Sequence, residues 1–232
     1  MSLLVAIRDL EVQFNGKRVL GPITWDLMRG EVVGVAGPNG SGKTTLARAL
    51  VGFRPPSKGS VSVEGMASAR WRMERGVGYL PEELPRPWRC RVGDVLSLRP
   101  DALRRVQEGE ADAFGVAGML ERPLRVLSKG QWRAVLISFA CLSDSGLVVL
   151  DEPDSGLDPS ALERLNAMIN HTAERGAAVV VLSHQLAELA RACRKVAFVS
   201  QGTWRGEVDA TRMSEIQLRE SYHMAVAEGG GT

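Results

Sequence analysis

The stretch Gly37-Pro38-Asn39-Gly40-Ser41-Gly42-Lys43-Thr44-Thr45 decides how this chain is read. A short apolar run, Val32-Val33-Gly34-Val35-Ala36, precedes it, and Leu46-Ala47-Arg48-Ala49-Leu50-Val51 follows. That is strand, glycine-rich turn and helix, with the G-x-x-x-x-G-K-[ST] spacing of a phosphate-binding loop. Glycines let a backbone approach a ligand with no Cβ in the way. Successive N–H groups then converge on one concavity at the positive end of the following helix dipole. Lys43 is expected to reach the β- and γ-phosphates of a nucleotide, and Thr44 to offer its hydroxyl to Mg2+.

Working outward, the flanks alternate strand and helix. Residues 3–35 cluster Val, Ile, Leu and aromatics between turn signals at Asn15-Gly16, Gly21-Pro22 and Arg29-Gly30, which predicts several short strands, some antiparallel. Val61-Ser62-Val63 and Val77-Gly78-Tyr79-Leu80 read as further strands. From Pro81 to Pro100 the chain is rich in Pro and Arg, and residues 92–142 read as helices broken at Gly109, Gly115 and Pro123. A helical subdomain over about 82–142, inserted between core segments 1–81 and 143–210, is the expectation. Strand 147–150, helix 159–174, strand 178–182, helix 185–193 and strand 196–199 then predict a parallel α/β sheet. Residues 211–232 read as a weakly patterned tail with a frayed end at 228–232.

Composition narrows the class. A chain of 232 residues with 44% hydrophobic and 24% charged residues can bury one sizeable core. Its 29 Lys and Arg against 27 Asp and Glu leave a net charge of +2, so no nucleic-acid partner is expected. Cys90, Cys141 and Cys193 are odd in number and widely spaced, which offers no disulfide framework or metal pattern and suits a reducing cytosol. No signal peptide is expected, since Arg8 and Asp9 interrupt the first apolar run. The longest apolar stretches, 134–142 and 177–182, fall short of a membrane span, so work at a membrane would need a partner.

A second constellation sits at Leu147-Val148-Val149-Leu150-Asp151-Glu152-Pro153, a buried-type strand ending in adjacent carboxylates. Ligands of open parallel sheets lie beyond the carboxyl ends of strands, so Asp151 is expected beside the phosphate loop as a Mg2+ ligand. Side chains alternate along a strand, which turns Glu152 toward the attacking water as general base or water-positioning group, worth about 10²–10⁴-fold in rate.

These motifs, taken with Leu127-Ser128-Lys129-Gly130-Gln131, resemble the ATP-binding-cassette (ABC) ATPases. That pentapeptide is similar to the family's LSGGQ signature and lies between the phosphate loop and the Asp-Glu strand, in the family's order. Phe14 resembles the aromatic that stacks on adenine, Tyr79-Leu80-Pro81-Glu82 the lid that usually carries glutamine, Ser155-Gly156-Leu157-Asp158 the D-loop, and His184 the switch histidine at the γ-phosphate. The resemblance covers roughly residues 3 to 205. Each match has a plainer alternative: Phe14 as a core aromatic, His184 as a satisfied strand-end histidine, Ser128 as a helix N-cap.

The resemblance implies a P-loop NTPase (RecA-like) parallel-sheet core with an antiparallel β subdomain and the helical insert. It implies ATP held by Phe14, residues Gly37, Pro38, Asn39, Gly40, Ser41, Gly42, Lys43, Thr44 and Thr45, and by Ser128, Gly130 and Gln131 acting across a head-to-tail pair of cassettes. Metal ligation falls to Thr44, Glu82 and Asp151, catalysis to Glu152, His184 and Lys43, and the D-loop role to Asp158. The implied function is an ATP-hydrolysing subunit of an ABC transporter, of exporter type, peripheral on the cytoplasmic face of the cell membrane through integral-membrane permease subunits. The second cassette is a copy or a relative of this chain. The alternative is a non-transport ABC ATPase acting as a soluble mechanochemical module. Two residues depart from the family pattern: Lys129 stands for the usual glycine and Glu82 for glutamine. A carboxylate at 82 suits Mg2+ and is expected to ligate it. Lys129 would face either the polyphosphate or solvent.

Overall fold

The computed structural model describes residues 2–87, 89–110 and 114–227. Its strands, in chain order, are β1 (Leu3–Phe14), β2 (Lys17–Met28), β3 (Val32–Ala36), β4 (Lys58–Val63), β5 (Met66–Ala67), β6 (Gly78–Leu80), β7 (Leu147–Asp151), β8 (Ala178–Ser183), β9 (Lys195–Ser200) and β10 (Thr203–Asp209). The α-helices are α1 (Lys43–Leu50), α2 (Ser68–Glu74), α3 (Val92–Leu96), α4 (Pro100–Gln107), α5 (Lys129–Cys141), α6 (Pro159–Glu174), α7 (Leu186–Ala192) and α8 (Glu215–Ala227). An antiparallel sheet runs β2-β1-β4-β5, and a second sheet runs β10-β9-β3-β8-β7-β6. In the second, β9, β3, β8, β7 and β6 pair in parallel and β10 closes one edge antiparallel.

The parallel strands are covered on both faces, which is why β3, β7 and β8 are buried along their whole lengths. Alternate residues sort to two cores. Val33, Val35, Leu147, Val149, Val180 and Leu182 pack with the antiparallel sheet and with Leu46 and Leu50 of α1. Val32, Val148, Leu150, Val179 and Val181 face the helices, meeting Val135, Ile137, Leu165 and Ile169. Each such side chain contributes roughly 1.5–3 kcal/mol of burial.

The topology positions the site. Parallel strands share one carboxyl edge, and β8 lies between β3 and β7. The loop after β3, the carboxylates ending β7 and His184 after β8 therefore meet at one rim.

Between β6 and β7 the described residues are helical or irregular, with α3, α4, two short 3-10 turns at 117–119 and 124–126, and α5. The predicted breaks at Gly109, Gly115 and Pro123 fall between these pieces. Four elements escape the sequence reading, the first being β5, an edge strand of two residues too short to show alternation. In α2 only Ser68 and Trp71 are buried, too few to make a periodicity. Strand β10 is an edge with no fully buried residue. Residues 211–232, expected as a weakly patterned tail, carry α8, which anchors through buried Leu218 and an edge-on contact of Tyr222 with Phe198 at 5.6 Å. A capping box was the available signal: Ser214 N donates to Gln217 Oε1 at 2.9 Å and Gln217 N to Ser214 Oγ at 3.3 Å. The frayed end expected at 228–232 lies outside the described residues. No helix among the described residues is long and apolar enough to cross a membrane.

Candidate functional site

The turn from β3 to α1 needs glycine for two separate reasons. A Cβ on Gly37 would meet Val199 O at 2.2 Å, and Gly42 holds φ +108° with Leu20 Cδ1 2.9 Å from its would-be Cβ. The loop and its neighbours line a cavity of about 320 Å3, walled by Val19, Pro38, Asn39, Gly40, Gly42, Lys43, Thr44, Thr45, Glu82 and Glu152. Lys43 is 6% exposed. Its Nζ donates to Gly37 O at 2.7 Å and Pro38 O at 3.3 Å, and lies 3.3 Å from Glu152 Oε1.

Asp151, the last residue of β7, and Glu152, just past it, have different surroundings. Asp151 is wholly buried, and no hydrogen bond closes on either of its carboxylate oxygens. Burial raises its pKa, with the nearby Thr44 hydroxyl opposing the shift and the charges of Glu82 and Glu152 adding to it. A buried carboxylate with both oxygens free and a hydroxyl beside it is a donor set suited to a hard divalent cation. Glu152 is turned the other way: its Oε2 takes a 2.7 Å hydrogen bond with His184 Nδ1. Glu152 also holds φ +50°, a left-handed backbone uncommon outside glycine and costly to maintain. Its N–H donates to Leu182 O of β8 at 2.8 Å.

One contributor belongs to none of the motifs singled out in the sequence. Arg133, on α5, sends its guanidinium beneath the carboxylates. It donates to Glu82 O at 2.7 Å, to Asp151 O at 3.2 Å and to Glu152 O, with Nε 3.5 Å from Pro153 O. Half-burial lowers its pKa against the raising charges of Asp154, Asp151, Glu152 and Glu82. Asp154, also raised by burial, accepts from Ser183 Oγ at 3.0 Å. No sequence motif marks an arginine whose partners are all carbonyls.

The signature residues gather elsewhere. Ser128, Gly130, Gln131, Gly156 and Asp158 line a cavity of about 200 Å3 that shares no residue with the phosphate cavity. Ser128 and Gln131 form a capping box at the start of α5, through Gln131 N to Ser128 Oγ at 3.1 Å and Ser128 N to Gln131 Oε1 at 3.0 Å. Asp158 caps α6 by accepting from Ala161 N at 2.8 Å. The N-cap reading of Ser128 is therefore the one its hydrogen bonds show.

The remaining candidates are placed as follows. Ser41 is buried, its hydroxyl without a partner. Phe14 is 45% exposed and does not wall the phosphate cavity, where Val19 stands instead. Its ring carries the Arg54 guanidinium 3.6 Å from the centroid. Lys129 turns from the signature cavity into a groove of about 420 Å3 with Glu82, Glu83, Leu84, Pro85, Arg86 and Trp132. The two departures from the family pattern thus share one groove, and Glu82 belongs to both groove and phosphate cavity. Trp88, within the Pro- and Arg-rich stretch 81–100, lies outside the described residues.

Comparison with known proteins places this geometry. Residues 20–155 match the family model described as "ABC transporter". The chain is 31% identical over 214 residues to the lipopolysaccharide export system ATP-binding protein LptB of Escherichia coli (strain K12), covering 87% of this chain and 88% of that protein. It is 30% identical to the ribose import ATP-binding protein RbsA 1 of Burkholderia thailandensis, covering 91% of this chain but 45% of that protein. A solved ATP-binding subunit of an ABC transporter superposes with a TM-score of 0.84 at 25% identity, covering 95% of this chain and 99% of the other. A nucleotide-free ATP-binding cassette superposes with a TM-score of 0.80 at 19% identity over the full length of both chains, which speaks to the fold. The chain belongs to the ABC transporter family, as an ATP-binding subunit with the P-loop NTPase fold and ATPase activity.

Proposed function

We propose that the chain hydrolyses MgATP as one half of a head-to-tail pair of cassettes and powers transport through separate integral-membrane subunits, from the cytoplasmic face of the membrane. One observation carries the pairing. The phosphate loop and the signature residues wall separate cavities, so Ser128, Gly130 and Gln131 serve a nucleotide only when a second cassette brings one to them. Ser128 crowns a helix N-terminus with a hydroxyl, an anion-binding arrangement aimed outward.

Within one cassette, loop N–H groups and Lys43 hold the triphosphate and offset its charge. Thr44, Asp151 and Glu82 would hold Mg2+, whose chemistry there is neutralising charge on the phosphate oxygens. Glu152 orients the attacking water, and His184, bonded to Glu152, holds that carboxylate and meets the γ-phosphate. Phe14 stacks on adenine with one ring face braced by Arg54. ATP closes the pair and hydrolysis opens it, because the signature contacts to the γ-phosphate across the pair exist only in the closed state. Export is the direction favoured: the export-system relative matches across nearly its whole length, whereas the import relative is a protein of which this chain spans under half.

Glu152→Gln tests the assignment. The variant is expected to bind ATP with parental affinity and to lose hydrolysis by about 10²-fold or more. Parental turnover by Glu152→Gln would remove Glu152 from the chemistry.

A further inference from the structure

We propose that Arg133 is a positioning residue for hydrolysis: its guanidinium clamps the carbonyls around Glu152 and ties the left-handed backbone of that carboxylate to the helix that bears Ser128. The geometry is specific. One side chain on α5 reaches Glu82 O of the lid at 2.7 Å, Asp151 O at 3.2 Å, Glu152 O, and Pro153 O at 3.5 Å. A planar fork of five donors can satisfy several carbonyls at once, which an ammonium group cannot.

The clamp falls where the backbone needs it. Glu152 sits at φ +50°, a conformation of order 1–3 kcal/mol above ordinary backbone for a non-glycine residue, so surrounding contacts must hold it. Those contacts are the N–H bond to Leu182 O at 2.8 Å, the Ser155 N–H to Glu152 O at 3.2 Å, and the guanidinium on the same carbonyl. That backbone sets the direction of the side chain that meets His184 Nδ1 at 2.7 Å and Lys43 Nζ at 3.3 Å. Small misplacement of a reacting group costs up to about 10²-fold in rate. Arg133 also stands five residues beyond Ser128, a helical rise of about 7.5 Å. The serine offered to a neighbouring cassette and the carboxylate serving this one are thereby joined through a single rigid element. Nor is Arg133 simply a surface charge at rest: no carboxylate oxygen is among its hydrogen-bond acceptors, although four carboxylates stand near.

Arg133's role rests on the functional reading of Glu152 above, and the experiment separates the two. Full-length Arg133→Met, Arg133→Lys and Glu152→Gln proteins are compared with the parent for MgATP binding, steady-state kcat and KM, and thermal midpoint. Arg133→Met is expected to lower kcat by about 10²-fold with KM and ATP affinity within about twofold of parental. Arg133→Lys, which keeps charge and loses the fork, is expected to fall between. Parental kcat in Arg133→Lys and Arg133→Met, or a loss of ATP affinity matching the loss of kcat, overturns the clamp. If Arg133→Met does not fold, Arg133→Lys decides alone by the same split. If Glu152→Gln keeps parental turnover, the reading of Glu152 falls instead.

Discussion

At the scale of single residues, adjacent side chains with opposite surroundings divide the chemistry. Asp151 is buried with both oxygens free, and Glu152 is bonded to His184 and faces Lys43. Strand alternation suggested a division, but Glu152 lies one residue past β7 at φ +50°, so the left-handed backbone and not the pleat sets its direction. Glu82, where the resemblance leads one to expect glutamine, walls the phosphate cavity beside Thr44 and Glu152. Glu82→Gln is expected to raise the Mg2+ concentration for half-maximal turnover by about tenfold, since a neutral amide binds a hard cation less tightly than a carboxylate. A titration of ATPase rate with Mg2+ checks this, and an unchanged midpoint would take Glu82 out of the metal site. Two features were illegible at this scale. Arg54 over Phe14 and Arg133 under Glu152 pair residues distant in sequence through a ring face and through carbonyls, interactions that leave no spacing to read.

At the scale of elements, patterning fared best where a segment is buried on one clear side. The phosphate-loop helix, the parallel strands and α5 announce themselves by apolar runs or caps. Helices α2 and α8 bury only Ser68 and Trp71, and Leu218, respectively, and edge strand β10 buries none, so tertiary contact rather than periodicity settles them. A polar knot links the helical insert to the core helix α6. Glu110, just past α4, faces His171 Nε2 at 3.2 Å and Arg105 Nε at 3.2 Å, with Arg175 at 4.0 Å. Desolvation pushes the Glu110 carboxyl up, but the His171 hydrogen bond and the two arginines outweigh it and leave its pKa below the ordinary carboxylate value. A carboxyl depressed by folding contributes stability above its unfolded pKa and loses it as pH falls through the folded value. Glu110→Gln is therefore expected to lower the urea midpoint slightly at pH 7, and by less at pH 3 as the parent's Glu110 carboxyl takes up its proton. Equal differences at both pH values would mean that packing, not charge, supplies the effect.

At the scale of the whole molecule, the proposed pairing accounts for two cavities that do not meet. A phosphate cavity and a signature cavity open on one chain without a shared wall. The N-terminus of α5 presents Ser128 outward, while five residues further on the same helix grips the backbone of Glu152. ATP bound by one cassette would be covered by the signature of its neighbour, so that binding and association become one equilibrium.

The most direct test is the mass of Glu152→Gln by sedimentation velocity, with and without MgATP, beside a Glu152→Gln/Ser128→Arg double variant. Paired cassettes predict that MgATP doubles the mass of Glu152→Gln and leaves the double variant monomeric, although both bind ATP. A Glu152→Gln protein that binds MgATP and stays monomeric at every concentration would contradict the pairing.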